Sequence, residues 1–300
     1  MAETQPYPDY PFTPKAFDRG NGLSLNYLDE GPQDAEPVLM IHGNPSWSYY
    51  WRHLVLGLRD SYRCIVPDHI GMGLSDKPDD SQYAYTLQSR VDDLDKLISS
   101  LGLNRKITLA VHDWGGMIGF AWALRHPERI GRLVILNTSS FSLPKGKKLM
   151  WQIALGRVPL LGAVLIRGFN FFARGAADLG VMTPIERASR KALLAPYDSW
   201  NNRRAVHRFV QDIPLKPGDK AWDLVAAAER QLPNYRQLPA FIGWGLQDFV
   251  FDQDFLAHFV KDLPNAVQKI YGDAGHYVLE DKHAELVPAI RQFLDRHPIG

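Results

Sequence analysis

The feature that most constrains this chain of 300 residues is an alternation of short apolar runs with longer helical patterns. The short runs are rich in β-branched residues and have the length of buried strands. Strands that alternate with helices are typical of a mostly parallel sheet covered by helices. The sequence therefore predicts an α/β fold, with a helix over 117–125 after one of the strands. The candidate strands are 24–28, 38–41, 63–66, 107–111, 133–136, 240–244 and 267–271.

The strand pattern is interrupted once, in the second half of the chain. From Ser140 to about Arg236 the sequence reads as short helices with Gly and Pro breaks, and strand signals resume at Leu238. We predict a main domain formed by 1–139 and 237–300, with a helical cap over 140–236 inserted after strand six. Such a cap would lie over the carboxyl ends of the strands, where ligands bind in open α/β sheets. Its apolar helices would also pack on the main domain.

Charge and cysteine content exclude several classes of protein. Lys and Arg total 34 and Asp and Glu total 33, so the balance gives no argument for nucleic acid or a strongly charged substrate. Cys64, which lies in an apolar run, is expected to be a small buried hydrophobe, and no zinc-type spacing suggests a metal. The first twelve residues do not resemble a signal peptide, and no apolar run is long enough to span a bilayer. We therefore expect a cytoplasmic protein without a cofactor.

Three polar residues each follow the carboxyl end of a predicted strand. Asp113 stands in VHDWGG at a strand-to-helix turn, Asp248 in GLQD after a later strand, and His276 in DAGHY after the last strand. The order nucleophile, acid, histidine is that of α/β-hydrolase triads. Two glycines, Gly115 and Gly116, follow Asp113 and would allow the close packing that a nucleophile elbow requires. Val111 departs from the serine-hydrolase pattern, which has a glycine there.

Each of these signals is weak when it is taken alone. An aspartate at a helix start is often an N-cap, a single histidine among 10 is usually structural, and Asp252 and Asp254 are rivals of Asp248 for the acid role. The joint pattern is stronger, because three separate loops must agree in residue type and in order. We therefore predict a triad of Asp113, His276 and Asp248.

Four segments of the sequence resemble the haloalkane dehalogenase family of α/β-hydrolases. They are HGNPSWSYYWRHLV from His42, VPDHIGMGLSDKPDD from Val66, VHDWGGMIGFAWALRHPERI from Val111, and GHYVLEDKH from Gly275. The match covers the main domain on both sides of the insertion. The resemblance implies an eight-stranded, mostly parallel sheet, and it argues against a serine esterase, which has serine where Asp113 stands.

The resemblance also implies a role for each site residue. Asp113 would attack an sp³ carbon to give an alkyl-enzyme ester, and His276, oriented by Asp248, would activate the water that hydrolyses it. The backbone N–H groups of Asn44 and Trp114 would stabilise the oxyanion, and their side chains would hold the leaving halide. In some dehalogenases the acid is a carboxylate that follows strand six. In this sequence Asn137-Thr138 stands at that position, with no carboxylate close by. The acid placement therefore resembles the third dehalogenase subfamily.

The same site residues are also compatible with other functions. The third subfamily includes the β-lactone decarboxylases of olefin biosynthesis, and the segments YTLQSRVDDLD from Tyr85, QDIPL from Gln211 and VLEDKHAELVPAIRQFL from Val278 resemble these more closely. An epoxide hydrolase would need two cap tyrosines, for which Tyr197 and Tyr235 are the candidates. Fluoroacetate-type dehalogenases have arginine in place of Trp114. A non-catalytic binding protein is a further alternative.

From the sequence we favour haloalkane dehalogenation, because the anion-binding pair of Asn44 and Trp114 is the clearest feature. The expected ligands are a small apolar substrate, either an alkyl halide or a β-lactone, and a halide ion. The family resemblance also suggests a homo-oligomer or an assembly with neighbouring pathway enzymes.

Overall fold

The computed structural model describes residues 7–103 and 105–299. Eight strands form one sheet in the order β1-β2-β4-β3-β5-β6-β7-β8. Strand β2 is antiparallel to both of its neighbours, and the remaining pairs are parallel. The predicted eight-stranded, mostly parallel sheet is thus confirmed. The strands are β1 Lys15–Gly20, β2 Leu23–Glu30, β3 Pro37–Ile41, β4 Arg63–Pro67, β5 Ile107–Asp113, β6 Ile130–Thr138, β7 Ala240–Gly245 and β8 Val267–Tyr271.

Helices cover both faces of this sheet. Side chains alternate across a strand, and in β3 Leu39 and Ile41 enter one apolar cluster while Val38 and Met40 enter the other. The helices are α1 Arg52–Leu58, α2 Leu87–Ser100, α3 Trp114–Ala123, α4 Trp151–Arg157, α5 Pro159–Gly162, α6 Phe171–Leu179, α7 Arg187–Leu194, α8 Arg204–Gln211, α9 Trp222–Gln231, α10 Gln253–Asp262 and α11 Val278–Arg296. Helices α2, α3 and α10 contribute to the first cluster, and α1 and α11 contribute to the second.

Six of these helices, α4 to α9, lie in the chain between β6 and β7. A π-helical turn, Ala163–Gly168, joins α5 to α6, and 3₁₀ turns follow α7 and α9 at Ala195–Tyr197 and Leu232–Tyr235. Two further 3₁₀ turns, Ser48–Trp51 and Pro127–Arg129, lie outside this insertion. The predicted limits of the cap remain a prediction, but its helical content agrees with the sequence pattern.

Within the described residues, no single helix is both long and apolar enough to cross a membrane. Among the described residues, one bent pair of helical segments has the length and apolar composition of a membrane span when the two are taken together. The pair is Pro159–Gly168 and Phe171–Leu179, and the two segments meet at 63°. The first six residues, which bear on the prediction about a signal peptide, lie outside the described residues. Cys64 is buried in β4, as predicted.

Candidate active site

Asp113 lies at the junction of β5 and α3, in the turn where the sequence predicts a nucleophile elbow. Its backbone has φ 53° and ψ −130°, a combination that L-residues rarely adopt and that is concentrated at functional sites. The turn is tight because Gly115 lies against β3: a Cβ there would be 2.0 Å from the carbonyl oxygen of Ile41. A Cβ on Gly43 would likewise lie 2.0 Å from Asp113 Oδ1. Both glycines are therefore needed for this approach.

The Asp113 carboxylate is buried and held by backbone donors. The N–H of Asn44 donates to Oδ1 at 2.6 Å, and the N–H of Trp114 also acts on the carboxylate. Burial raises the pKa of Asp113 above its ordinary value, while His276 and these two N–H groups oppose that rise. The two N–H groups are the ones predicted to stabilise an oxyanion, and a charge formed at this carboxyl would lie beside them.

His276 brings the other two predicted triad members together. Its Nδ1–H donates to Asp248 Oδ2 at 2.9 Å, and its Nε2 lies 3.5 Å from Asp113 Oδ2. Burial alone would lower the pKa of His276, but the carboxylates of Asp248 and Asp113 outweigh burial and raise this pKa. The imidazole is therefore oriented with Nδ1 protonated and Nε2 directed at the predicted nucleophile.

Asp248 is fixed by four hydrogen bonds, including the one to His276. Its Oδ1 accepts from the N–H of Val250 at 2.7 Å and of Phe251 at 3.1 Å. Its Oδ2 also accepts from Asn137 Nδ2 at 3.0 Å. Asn137, which the sequence pattern placed just after strand six, lies near the end of β6 and supports the acid with its side-chain amide. The sequence did not predict this contact.

The two rivals of Asp248 lie elsewhere in the same loop. Asp252 accepts from the N–H of Asp254 at 3.1 Å and so begins α10 as its N-cap. Both carboxylates pair with Lys147. The structure therefore brings Asp248, and neither rival, to His276.

The side chains of Asn44 and Trp114, whose backbone N–H groups act on the Asp113 carboxylate, are both buried. Asn44 Nδ2 donates to the carbonyl of Val206 at 3.2 Å. This contact fixes the orientation of the Asn44 amide, because a carbonyl oxygen only accepts hydrogen bonds and therefore faces the NH₂ group of the amide. One amide hydrogen remains available. Among the described residues the Trp114 indole N–H has no hydrogen-bond partner. Two uncharged donors are thus present, but their role in holding an anion remains a prediction.

His112 is a site residue that the sequence analysis missed. Its ring stacks on Tyr50, with centroids 4.1 Å apart, and its Nε2–H donates to the backbone carbonyl of His276 at 2.9 Å. Burial, with a further contribution from the nearby His276, holds the pKa of His112 well below its ordinary value. A neutral His112 therefore fixes the loop that carries His276. Its position next to Asp113 was the only signal in the sequence.

A second missed contact lies behind Trp114. The Phe209 ring packs edge-on against Trp114 at 5.2 Å, and the Arg90 guanidinium lies 3.5 Å from the other side of Phe209. Arg90 is buried, and Asp212 Oδ2 lies 3.6 Å from its Nη1 and accepts from the N–H of Leu87 at 2.6 Å. Two of the segments that resemble the decarboxylases, those beginning at Tyr85 and Gln211, therefore meet through Arg90 and Asp212 next to the ring that packs on the indole.

Both tyrosines that an epoxide hydrolase would require donate their hydroxyl groups to backbone carbonyls. The Tyr197 hydroxyl donates to the carbonyl of Ser46 at 3.2 Å, and the Tyr235 hydroxyl donates to the carbonyl of Ala123 at 3.3 Å. Ala123 ends α3, which begins directly after Asp113, so Tyr235 lies a whole helix length from the predicted nucleophile, about 15 Å. This geometry does not favour epoxide opening.

The arrangement can perform one type of chemistry particularly well. A buried, ionisable carboxylate attacks carbon without needing a base, and an adjacent imidazole with a fixed orientation can either accept a proton or balance charge. The ring of Phe251, stacked on His276 at 5.7 Å, and the ring of Phe209 give the site apolar walls. An apolar electrophile that carries a leaving anion fits these features.

Comparisons with known proteins agree with this geometry. Residues 36–283 match the model of the family described as alpha/beta hydrolase fold. A cis-3-alkyl-4-alkyloxetan-2-one decarboxylase of Xanthomonas campestris is 59% identical, over 98% of this chain and 99% of that protein. A protein of the same name in Shewanella oneidensis is 53% identical, over 91% of this chain and 86% of that protein.

Solved structures give the same assignment of fold. The haloalkane dehalogenase DbeA from Bradyrhizobium elkani superposes with a TM-score of 0.83 at 25% identity, over 95% of this chain and 98% of that chain. The predicted family is thereby confirmed. The chain belongs to the α/β-hydrolase fold family and is an enzyme of the haloalkane-dehalogenase type.

Proposed function

We propose that this enzyme converts a cis-3,4-dialkyl β-lactone into a cis-alkene and carbon dioxide. The observation that carries this proposal is 59% identity, over nearly the whole chain, to a protein named for this decarboxylation. The relatives therefore favour the alternative over haloalkane dehalogenation, which we favoured from the sequence. The reason for the difference is that both reactions would use the same carboxylate, imidazole and anion donors, so motifs alone do not separate them.

In the first step, Asp113 attacks the ring carbon that bears the lactone oxygen. The C–O bond of the strained ring breaks, and the ring oxygen leaves as a carboxylate that stays attached to the neighbouring carbon. This step parallels halide displacement, with a carboxylate in place of the halide. The remaining side-chain amide hydrogen of Asn44 and the indole N–H of Trp114 would hold the new carboxylate, since both are uncharged donors in a buried site.

In the second step, the alkyl ester on Asp113 breaks down without water. The C–CO₂⁻ bond breaks, its electron pair forms the C=C bond, and the C–O bond to Asp113 breaks and returns the carboxylate. Attack from the face opposite the ring oxygen sets the ester anti to the carboxylate. Anti elimination then keeps the two alkyl groups cis. Positive charge on His276, which the two carboxylates favour, stabilises Asp113 as its charge returns.

Haloalkane dehalogenation is the second candidate function. It is favoured by the Trp114 indole N–H and the remaining Asn44 amide hydrogen, because two uncharged donors suit a halide. In that reaction His276 would take a proton from a water molecule, which would then hydrolyse the ester at the Asp113 carboxyl carbon. The two reactions share the attack by Asp113 on carbon, and they differ in the leaving group and in how the resulting alkyl ester breaks down.

A paired assay on the purified protein tests this proposal. Alkene formation from a synthetic cis-3,4-dialkyl β-lactone and bromide release from 1-bromohexane are measured under the same conditions. We expect the lactone to be turned over with the higher kcat/KM and the cis-alkene to be the product. The control is Asp252→Asn, which changes a carboxylate in the same loop as Asp248 that does not touch His276. Fast bromide release without alkene would contradict the proposal and support the dehalogenase.

A further inference from the structure

An exposed apolar surface covers part of the insertion, outside the candidate active site. It comprises large side chains of which Leu160 is 84% exposed and Leu179 is 68% exposed. We call this set the apolar cap surface. Its members are Trp151, Leu160, Val164, Phe169, Phe171 and Leu179. Large apolar side chains concentrated on one exposed part of a chain are typical of an interaction site.

The apolar cap surface is centred on a bend in the backbone. Phe169 and Phe171 stand at the corner between the π-helical turn and α6, and their rings stack at 5.6 Å while both remain exposed. The segments on either side of this corner meet at 63°. The corner therefore presents a pair of aromatic side chains that could enter an apolar phase while neither segment crosses it.

Charge around this surface is strongly asymmetric. Residues 145–191 contain nine Lys and Arg and two Asp and Glu, a net charge of +7 in a chain whose total is +1. One of the two acidic groups, Asp178, is neutralised by Arg190 Nη2 at 2.7 Å. Several exposed cations have no ion pair within the described residues. They are Lys145, Lys148, Arg174, Arg187 and Lys191.

The basic side chains also line a cavity on α7. It has a volume of about 380 Å³, and Arg187, Arg190 and Lys191 lie in its wall together with Leu194 and Asp198. The Arg190–Asp178 pair links this helix to α6, so the cavity adjoins the apolar cap surface. Apolar side chains flanked by cations match the interface of an anionic bilayer, where acyl chains lie beneath phosphate groups.

The same surface leads to the candidate site. Helix α6 runs for about 12 Å from Phe171 at the surface to Leu179. The next residue, Gly180, accepts from the N–H of Tyr277 at 2.7 Å, and a Cβ on Gly180 would lie 3.7 Å from that of His276. The C-terminal end of α6 is thus joined through Gly180 to the loop that carries the predicted base.

We propose that the apolar cap surface docks on anionic lipid bilayers and that long-chain substrate enters the enzyme from the bilayer. The occupant is a lipid surface rather than a protein, because the flanking charge is predominantly positive and the exposed aromatic pair stands at a bend between two segments, which suits shallow insertion. The substrate route rests on the proposed function, since a dialkyl β-lactone would partition into acyl chains. The docking itself does not need substrate.

Flotation of the full chain with vesicles tests the docking directly, without substrate. We expect binding to vesicles of phosphatidylcholine mixed with phosphatidylglycerol and much weaker binding to phosphatidylcholine alone. The triple variant Leu160→Ser/Phe169→Ser/Phe171→Ser should weaken binding at least about tenfold. The triple variant Lys145→Glu/Lys148→Glu/Arg174→Glu should do the same and should remove most of the salt dependence. All six positions are surface residues that the catalytic steps do not use.

Matched controls are Ile270→Ser, an exposed apolar residue on β8, and Lys106→Glu, an exposed cation before β5. Both should bind vesicles as the unchanged protein does. Absence of vesicle binding, or binding unchanged in both triple variants, would overturn the proposal. So would an oligomer in vesicle-free solution that the serine variant dissociates, because the surface would then serve a second copy. If vesicles bind but no alkene forms from lactone, the proposed function fails while the docking stands.

Discussion

Replacing Asp248 with asparagine should lower the pKa of His276, because burial would then oppose protonation with only one carboxylate left to favour it. In the structure the Asp248 carboxylate lies 2.9 Å from His276 Nδ1, and Asp113 lies 3.5 Å from Nε2. At an effective dielectric constant of about 20, two opposite charges about 4 Å apart attract by about 4 kcal/mol, so the substitution removes stabilisation of this order from the protonated imidazole. Asp113 would retain the remaining electrostatic stabilisation.

The same substitution should also change the tautomer of the imidazole. Asparagine at 248 would keep its oxygen toward the N–H groups of Val250 and Phe251, which now donate to Asp248 Oδ1. Its NH₂ would then face His276 and favour the form in which Nδ1 accepts. That form carries its proton on Nε2 and is unable to take one from water.

The assay is an NMR titration of the histidine ring protons, in which the His276 signal is assigned from its loss in His276→Phe. Asp252→Asn serves as the control and should leave the signal unchanged, since Asp252 pairs with Lys147. A His276 pKa that is the same in Asp248→Asn and in the unchanged protein would refute the assignment of Asp248 as the residue that charges and orients His276.

Three further predictions follow from the same geometry. Asp113→Asn should abolish turnover and raise the free energy of unfolding at neutral pH. The pKa of Asp113 is raised in the folded protein by burial, so ionisation of Asp113 opposes folding once the pH exceeds its unfolded pKa, and does so fully above its folded pKa. Urea unfolding at neutral pH and again in acid, where the gain should vanish, measures this. His276→Phe should trap an alkyl ester from 1-bromohexane, visible by mass spectrometry as an adduct on the Asp113 peptide. Gly43→Ala should lower the free energy of unfolding by at least about 2 kcal/mol, because the new methyl group would overlap Asp113. Gly102→Ala is the control, since a Cβ there meets nothing within 4 Å although φ is +59°. It should lower the free energy of unfolding by only about 1 kcal/mol.

Much of the fold could be predicted from the sequence because the buried strands of a parallel sheet are continuous apolar runs. Seven strands were predicted near their observed positions. Strand β1, Lys15–Gly20, was missed because it lies at the sheet edge, is largely exposed and contains neither a continuous apolar run nor a regular alternation of polar and apolar residues. Helix α3 begins at Trp114 rather than at Met117, because the helix follows Asp113 directly and the two glycines lie within its first turn.

The contacts of the site were less predictable than its members. Residue order predicts a triad of Asp113, Asp248 and His276, because all three lie at or just past the carboxyl ends of strands that reach one edge of the sheet, and the structure places their side chains next to one another. The choice of Asp248 over Asp252 and Asp254 depends on the course of one loop. Contacts such as Asn137 to Asp248, or Arg90 to Phe209 to Trp114, join residues far apart in the chain. Packing of this kind leaves no local pattern that a single sequence reveals.

Elimination rather than hydrolysis is the proposed fate of the alkyl ester on Asp113, and one experiment separates the two. A single turnover of a cis-3,4-dialkyl β-lactone is run in ¹⁸O-labelled water, followed by mass spectrometry of the product and of the Asp113 peptide. We expect cis-alkene, carbon dioxide and an unlabelled Asp113 carboxylate. Label in Asp113 together with a β-hydroxy acid would refute elimination, because water activated by His276 would then have attacked the ester.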